Sequence, residues 1–227
     1  MAIPSQEQVT LLTDYDTNST YNEAYQTLYA NICFNWKNKQ SKQHSVLLAT
    51  PTSFVGQAAA VANIAIVAAQ NGTPTVIVDA DMQQPSLQQR FGVGESTGFS
   101  DLLNQEVITA ESISAQLRPT FVPKLRLLCA GKANKAHTLH LLPQTRLEEL
   151  VNSSRQLLAE TESEPSLLIF HCAAVLASTH AAQLSALVEQ TFLTIVTGRT
   201  TRVQAKKAQE QLQRAHATLM GAILLDV

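Results

Sequence analysis

The stretch from Ser45 to Leu87, "SVLLATPTSFVGQAAAVANIAIVAAQNGTPTVIVDADMQQPSL", constrains the fold more than any other part of the chain. A short apolar run, Val46 to Thr50, leads into a loop holding Gly56. An alanine-rich segment follows to Gln70, then Asn71-Gly72, then a second apolar run from Thr75 to Asp79. Strand, loop, helix, turn and strand in that order make a parallel pair with a right-handed crossover. It is also the outline of a phosphate-binding unit. Such a unit needs backbone N–H groups at a helix N-terminus, a lysine for the terminal phosphates and a hydroxyl for magnesium. The loop here reads Gly56, Gln57, Ala58, Ala59. Gln57 donates a hydrogen bond without charge, and neither alanine can coordinate magnesium. Each charge-assisted bond lost is worth roughly 1.5–3 kcal/mol. Nucleotide binding is therefore expected to be weak or absent, with Mg-ATP or Mg-ADP as the ligand if there is one.

Further apolar runs at Leu125–Ala130, Leu167–Phe170, Phe192–Thr197 and Ala222–Leu225 read as strands. Helical spacing appears near Gly56–Gln70, Thr145–Glu160, Ala181–Glu189 and Arg202–Ala217. Continuous apolar strands alternating with helices predict an α/β fold with a doubly wound, mostly parallel sheet covered on both faces. Residues 1–20 are polar and turn-rich and read as an extended arm. Residues 21–227 read as one domain, a length that suffices for a well-buried core. Tyr21, Tyr25, Leu28, Tyr29, Ile32 and Trp36 open it with one apolar helix face. Lys37 to His44 reads as a polar connector.

Sixteen basic and eighteen acidic residues leave a net charge of −2, which argues against a dedicated nucleic-acid binder. Arg199, Arg202, Lys206, Lys207 and Arg214 cluster near the last helix, but Glu210 and several glutamines dilute them. Three distant cysteines without CxxC spacing read as reduced thiols of a cytoplasmic protein. No apolar run reaches the ~20 residues of a membrane span.

"VIVDADMQQPSLQQRFGV" followed by "GFSDLL" resembles the bacterial tyrosine kinases of capsule and exopolysaccharide assembly, a branch of the ParA/MinD-type P-loop ATPases. "LRLLCAGK", "RLEELV", "LLIFHCAAVL", "LTIVTGRTTRVQAKKAQEQLQRA" and "MGAILL" continue the resemblance in order, and "NEAYQTLYANICF" extends it upstream. It implies a P-loop NTPase-like three-layer sandwich.

Against the family pattern, Gly56-Gln57-Ala58 stands for G-K-[ST], and Gln83 and Gln84 replace two arginines after Asp81. His171-Cys172-Ala173-Ala174 replaces D-[ST]-P-P, so that His171 occupies the place of a magnesium-associated aspartate. His180 matches the later aspartate of that loop. The tyrosine-rich tail has no counterpart before Val227. The family's oligomerisation motif, E-x-x-R-x-x-R, becomes Glu23, Gln26 and Tyr29. The resemblance gives Asp79 and Asp81 a role with magnesium and the attacking hydroxyl. Read from the residues alone, they are metal contacts or caps of the following loop. His171, Cys172 and His180 lack a fourth ligand for a zinc centre, and read as filling of the magnesium pocket.

The expectation is a catalytically degenerate pseudokinase, regulating or scaffolding exopolysaccharide or capsule synthesis and its chain-length control. Its expected partners are an active kinase paralogue or a membrane polysaccharide co-polymerase. The latter would hold it peripherally at the inner membrane, as a monomer or small homo-oligomer. The alternatives are a weak P-loop ATPase or tyrosine autokinase using Asp79 and Asp81, and a ParA-like positioning protein.

Overall fold

A computed structural model describes residues 11–14, 19–36, 41–94, 96–132 and 142–226. Its strands are β1 Gln43–Ala49, β2 Thr75–Asp79, β3 Arg118–Pro119, β4 Leu125–Leu128, β5 Ser166–His171, β6 Gln190–Val196 and β7 Leu219–Leu225. Its main helices are α1 Thr20–Phe34, α2 Gln57–Gln70, α3 Leu87–Arg90, α4 Phe99–Leu103 and α5 Ala110–Gln116. After them come α6 Gln144–Thr161, α7 His180–Ser185 and α8 Arg202–Arg214. The strands join in the order β3-β4-β2-β5-β1-β6-β7. All pairs are parallel except β3 with β4. The expected doubly wound, mostly parallel sheet is present.

Strand alternation divides the core into two halves. Leu47, Ala49, Val76, Val78, Leu168 and Phe170 pack on one side with Leu147, Leu150, Ala181, Leu184, Ala208 and Leu212. Val46, Leu48, Ile77, Leu167 and Ile169 face the other, against Ile32, Val61, Ile64, Ala65 and Leu87. The apolar runs are continuous because both faces of each central strand are covered. Helix α2 lies between the sheet and α1, so thirteen of its fourteen residues are buried. Its alanines allow that close approach.

β1 begins three residues earlier than its apolar run. Gln43, His44 and Ser45, expected in a connector or at its edge, belong to the strand. Each has a partner in the sheet or beneath it. His44 Nδ1 lies 3.0 Å from Glu189 and its ring stacks on Trp36 at 4.4 Å, while Ser45 Oγ accepts from Arg155 at 2.7 Å. β6 likewise starts at Gln190, whose amide donates to Ile32 O.

Residues 1–10 and 15–18 of the predicted arm lie outside the described residues. Its described part departs from an extended arm. Leu12–Asp14 form a 3₁₀ turn, Leu11 and Leu12 are buried, and Leu12 N donates to Asn63 Oδ1 on α2.

Candidate functional site

The phosphate-loop position sits between β1 and α2, at the carboxyl edge of the sheet where open α/β folds hold ligands. Residues Ser53, Phe54, Gln57, Asp81, Arg90 and His171 are among those lining a cleft of about 390 Å³ there. The loop closes on itself. Gln57 N donates to Phe54 O at 3.1 Å, so an N–H at the start of α2 already has a chain acceptor. The Gln57 side chain, 6% exposed, turns inward and donates from Nε2 to Cys172 O at 2.6 Å. It spans the floor of the cleft where a lysine would need to extend. Gly56 precedes α2 without a side-chain cap. Ala58 and Ala59 are buried and present methyl groups.

Asp79 is fully buried and engages four donors. Its Oδ1 accepts from Asp81 N at 3.2 Å and from His171 Nδ1 at 3.0 Å. Its Oδ2 accepts from Ser86 N and Leu87 N, both at 3.1 Å, at the start of α3. Register explains the His171 contact, because Asp79 pairs with His171 across β2 and β5. Asp81 reaches the cleft. Its Oδ1 accepts from Gln83 N and Gln84 N, both at 3.0 Å, folding the MQQ segment into a tight turn. The two aspartates thus do different work: Asp79 ties the loop together from beneath, and Asp81 shapes it at the surface of the cleft.

Gly98 and Asp101 of "GFSDLL" are structural. A Cβ at Gly98 would lie 1.9 Å from Cys129 O, and Asp101 Oδ2 accepts from Gly98 N and Lys132 N.

Cys172 belongs to the buried core rather than to the cleft, and burial holds its thiol far above the ordinary range. His180 is buried at the start of α7 and is not part of the cleft lining. The two histidines and Cys172 do not come together as one ligand set, and no three His, Cys, Asp or Glu side chains among the described residues form a metal cluster. Arg90, at the end of α3, was not among the expected site residues, yet it lines the cleft. Its guanidinium pKa is lowered by burial.

Two of the three expected interface residues face their own chain. Gln26 Oε1 accepts from Asn71 Nδ2 at 2.8 Å, and Tyr29 Oη bonds Thr73 Oγ1. Glu23 is exposed. A 3-residue step moves 300° around a helix, so the triad drifts from solvent onto the α2–β2 turn.

No family model matches the chain. Tyrosine-protein kinase YwqD of Bacillus subtilis (strain 168) is 26% identical over 210 residues, which are 92% of this chain and 82% of YwqD. CapB of Staphylococcus aureus, also named a tyrosine-protein kinase, is 26% identical over 206 residues, 91% of this chain and 84% of CapB. This chain is a homologue of the bacterial tyrosine kinases. The kinase domain of Escherichia coli ETK superposes with a TM-score of 0.78 at 18% identity, covering 98% of this chain and 82% of that domain. The Mg-ADP complex of Pyrococcus horikoshii MinD superposes at 0.62 with 17% identity, over 80% of this chain and 70% of MinD. The kinase homologue therefore carries the P-loop NTPase fold. No helix of its described residues is long and apolar enough to cross a membrane.

Proposed function

We propose that this kinase homologue is a non-catalytic regulatory or scaffold subunit of exopolysaccharide or capsule synthesis. One observation carries the reading: the side chain at the lysine position is neutral, buried and tied to Cys172 O. A Mg-nucleotide does not fit the residues present. The cleft has no loop lysine, no hydroxyl at Ala58, and an imidazole at the family's aspartate position. What survives from the family pattern supports the same view. Asp79, Gly98 and Asp101 each have a packing or capping task, whereas the family's loop lysine and the two arginines after Asp81 are glutamines here, and Arg90 is a cation that remains in the lining.

As a folded domain without phosphoryl chemistry, the protein acts by contact. Its partner is an active kinase paralogue or the cytoplasmic end of a membrane polysaccharide co-polymerase, which places it peripherally at the membrane. The second reading, a weak ATPase or autokinase, is favoured by the position of Asp81 in the cleft lining. Calorimetric titration with ATP and ADP in magnesium separates the two. The scaffold reading expects no binding tighter than the millimolar range, and no phosphotyrosine after incubation with ATP. A micromolar dissociation constant, or phosphotyrosine that vanishes in Asp81→Asn, promotes the enzyme.

A further inference from the structure

Charge is unevenly distributed along the chain. Residues 199–214 hold five cations and one carboxylate, a charge of +4, so the other positions together carry −6 within the chain's −2. The fold gathers these cations on one surface. Ala208 and Leu212 are fully buried and seat α8 on the sheet. At 100° per residue, Val203, Lys206, Lys207, Glu210 and Arg214 lie within about 60° of the direction opposite them, with Arg202 at the margin. Arg199 precedes the helix, in the loop after β6. All five cations are exposed, and Val203 among them is 63% exposed. Lys206 meets Glu210 at 3.9 Å. The side chains of Arg199, Arg202, Lys207 and Arg214 have no hydrogen bond or ion pair among the described residues, which leaves them free to meet an external anion. The Thr201–Gln204 capping box and the buried stripe hold the helix, so the face is formed before any ligand arrives.

We propose that this outer face of α8 docks directly on an anionic lipid surface. A cluster of four to eight Lys or Arg on an amphipathic helix is the pattern that anionic headgroups attract, and each cation near such a surface is worth about fivefold in partitioning. The −6 on the remaining positions is repelled by the same surface, so the asymmetry orients the protein as well as drawing it in. The shape and chemistry of the face favour lipid over nucleic acid. α8 is a convex ridge about 20 Å long, which meets a flat surface along its length but offers no groove for a phosphate backbone to follow. It carries no aromatic side chain on which a base could stack. Val203, set among the charges, gains from the apolar side of the headgroup boundary. No helix of the described residues can cross a bilayer, so the contact is superficial and reversible. α8 and α1 pack on opposite halves of the core, and a lipid-bound protein therefore keeps α1 available to a protein partner. The inference adds a lipid contact to the peripheral subunit proposed above, and rests on that reading for its setting alone.

The test uses purified full-length protein without partners, sedimented with vesicles of phosphatidylcholine alone or mixed equally with phosphatidylglycerol. Binding should require the anionic lipid and should fall as salt screens the exposed charges. Lys206→Gln with Lys207→Gln should weaken partitioning roughly 25-fold, at unchanged circular dichroism. Glu210→Gln removes the one acid of the face and should tighten partitioning about fivefold, a gain that misfolding cannot produce. Equal binding to both vesicles, binding to neither, or wild-type affinity in the folded Lys206→Gln, Lys207→Gln variant overturns the proposal. So does duplex DNA that binds more tightly than the anionic vesicles at the same salt. Partner capture from native membranes is scored separately. Loss of lipid binding therefore leaves the scaffold reading standing, and loss of partners leaves the lipid contact standing.

Discussion

Gln57 on α2 donates its side-chain amide to the Cys172 carbonyl beyond β5, 115 positions along the chain, at 2.6 Å. The bond ties the start of α2 to the segment after β5 across the cleft floor. Rebuilding the loop through Gln57→Lys with Ala58→Thr removes this bond without repairing the rest. The Phe54 carbonyl still takes the N–H of residue 57, and His171 still pairs with Asp79. We expect the double variant to show no ATP turnover at rates usual for the fold. Steady-state phosphate release measures it, and ordinary turnover would show that lysine and hydroxyl were the only missing parts.

Asp79 offers a sharper choice between structural and functional carboxylates. A ligand waiting for a metal sits in unrelieved repulsion with a neighbour such as Asp81, and its removal stabilises the apo protein. Asp79 instead satisfies three backbone N–H groups and one imidazole. Asp79→Ala leaves these donors buried, a loss of about 3–5 kcal/mol, or a fall in Tm of roughly 6–20 °C. A Tm equal to or above wild type would assign Asp79 to an unoccupied ligand set.

The parallel sheet was legible because both sides of every central strand are covered, which makes apolar runs continuous, and because α2 announces its burial by its alanines. α3, α4 and α5 were not read, being four to seven residues long and held by loop contacts such as Asp101 with Gly98 rather than by periodicity. The start of β1 was misplaced because His44 and Ser45 are polar, and their partners Glu189 and Arg155 lie more than a hundred residues away. Around the cleft, the residue types at 56–59, 79, 81 and 171 were readable. Their roles were not, since nothing in the spacing reveals that Gln57 turns to Cys172 or that Arg90 returns to the loop.

Thiol chemistry reports how closed the core is. Burial raises the pKa of Cys33, Cys129 and Cys172, and Cys172 is the most deeply placed. Thiolate is the reactive form, so native protein at pH 8 should release colour slowly with an aromatic disulfide reagent, and from no more than Cys33. All three thiols should react at once in denaturant. Rapid native labelling at Cys172, mapped by peptide mass, would mean that the cleft floor opens.

Tyr29 gives a pH signature for the α1 contact. Burial, outweighing the Thr73 hydroxyl bond, pushes its phenol up to about 12. The unfolded phenol titrates near 10. The folded state therefore favours the neutral phenol, and the associated stability is whole below about pH 10 and lost as pH rises towards 12. Half-burial and solvent screening make the effect modest. In a spectroscopic titration of phenolate, Tyr29 should ionise late. Tyr29→Phe should remove that late step and flatten the alkaline loss of Tm; an unchanged titration would place Tyr29 in solvent.

The inward position of Tyr29 also redirects the search for a docking surface. Tyr29→Asp would place a charge against Thr73 and Trp36, so lost partners in that variant would report damage to the fold rather than to an interface. The outer side of α1 is presented by Glu23, Ala24, Thr27 and Asn31, all exposed, and by Phe34, which is 62% exposed at the helix end. An exposed aromatic on the same helix face as a carboxylate, about three turns away, is the chemistry of an interface anchor with a charged rim. Glu23→Lys combined with Phe34→Asp should therefore stay folded and lose capture of the kinase paralogue or co-polymerase from native membranes. Tyr29→Asp should lose Tm first. Should the folded Glu23→Lys, Phe34→Asp variant keep every partner at wild-type yield, α1 serves packing alone and the scaffold must bind through another face.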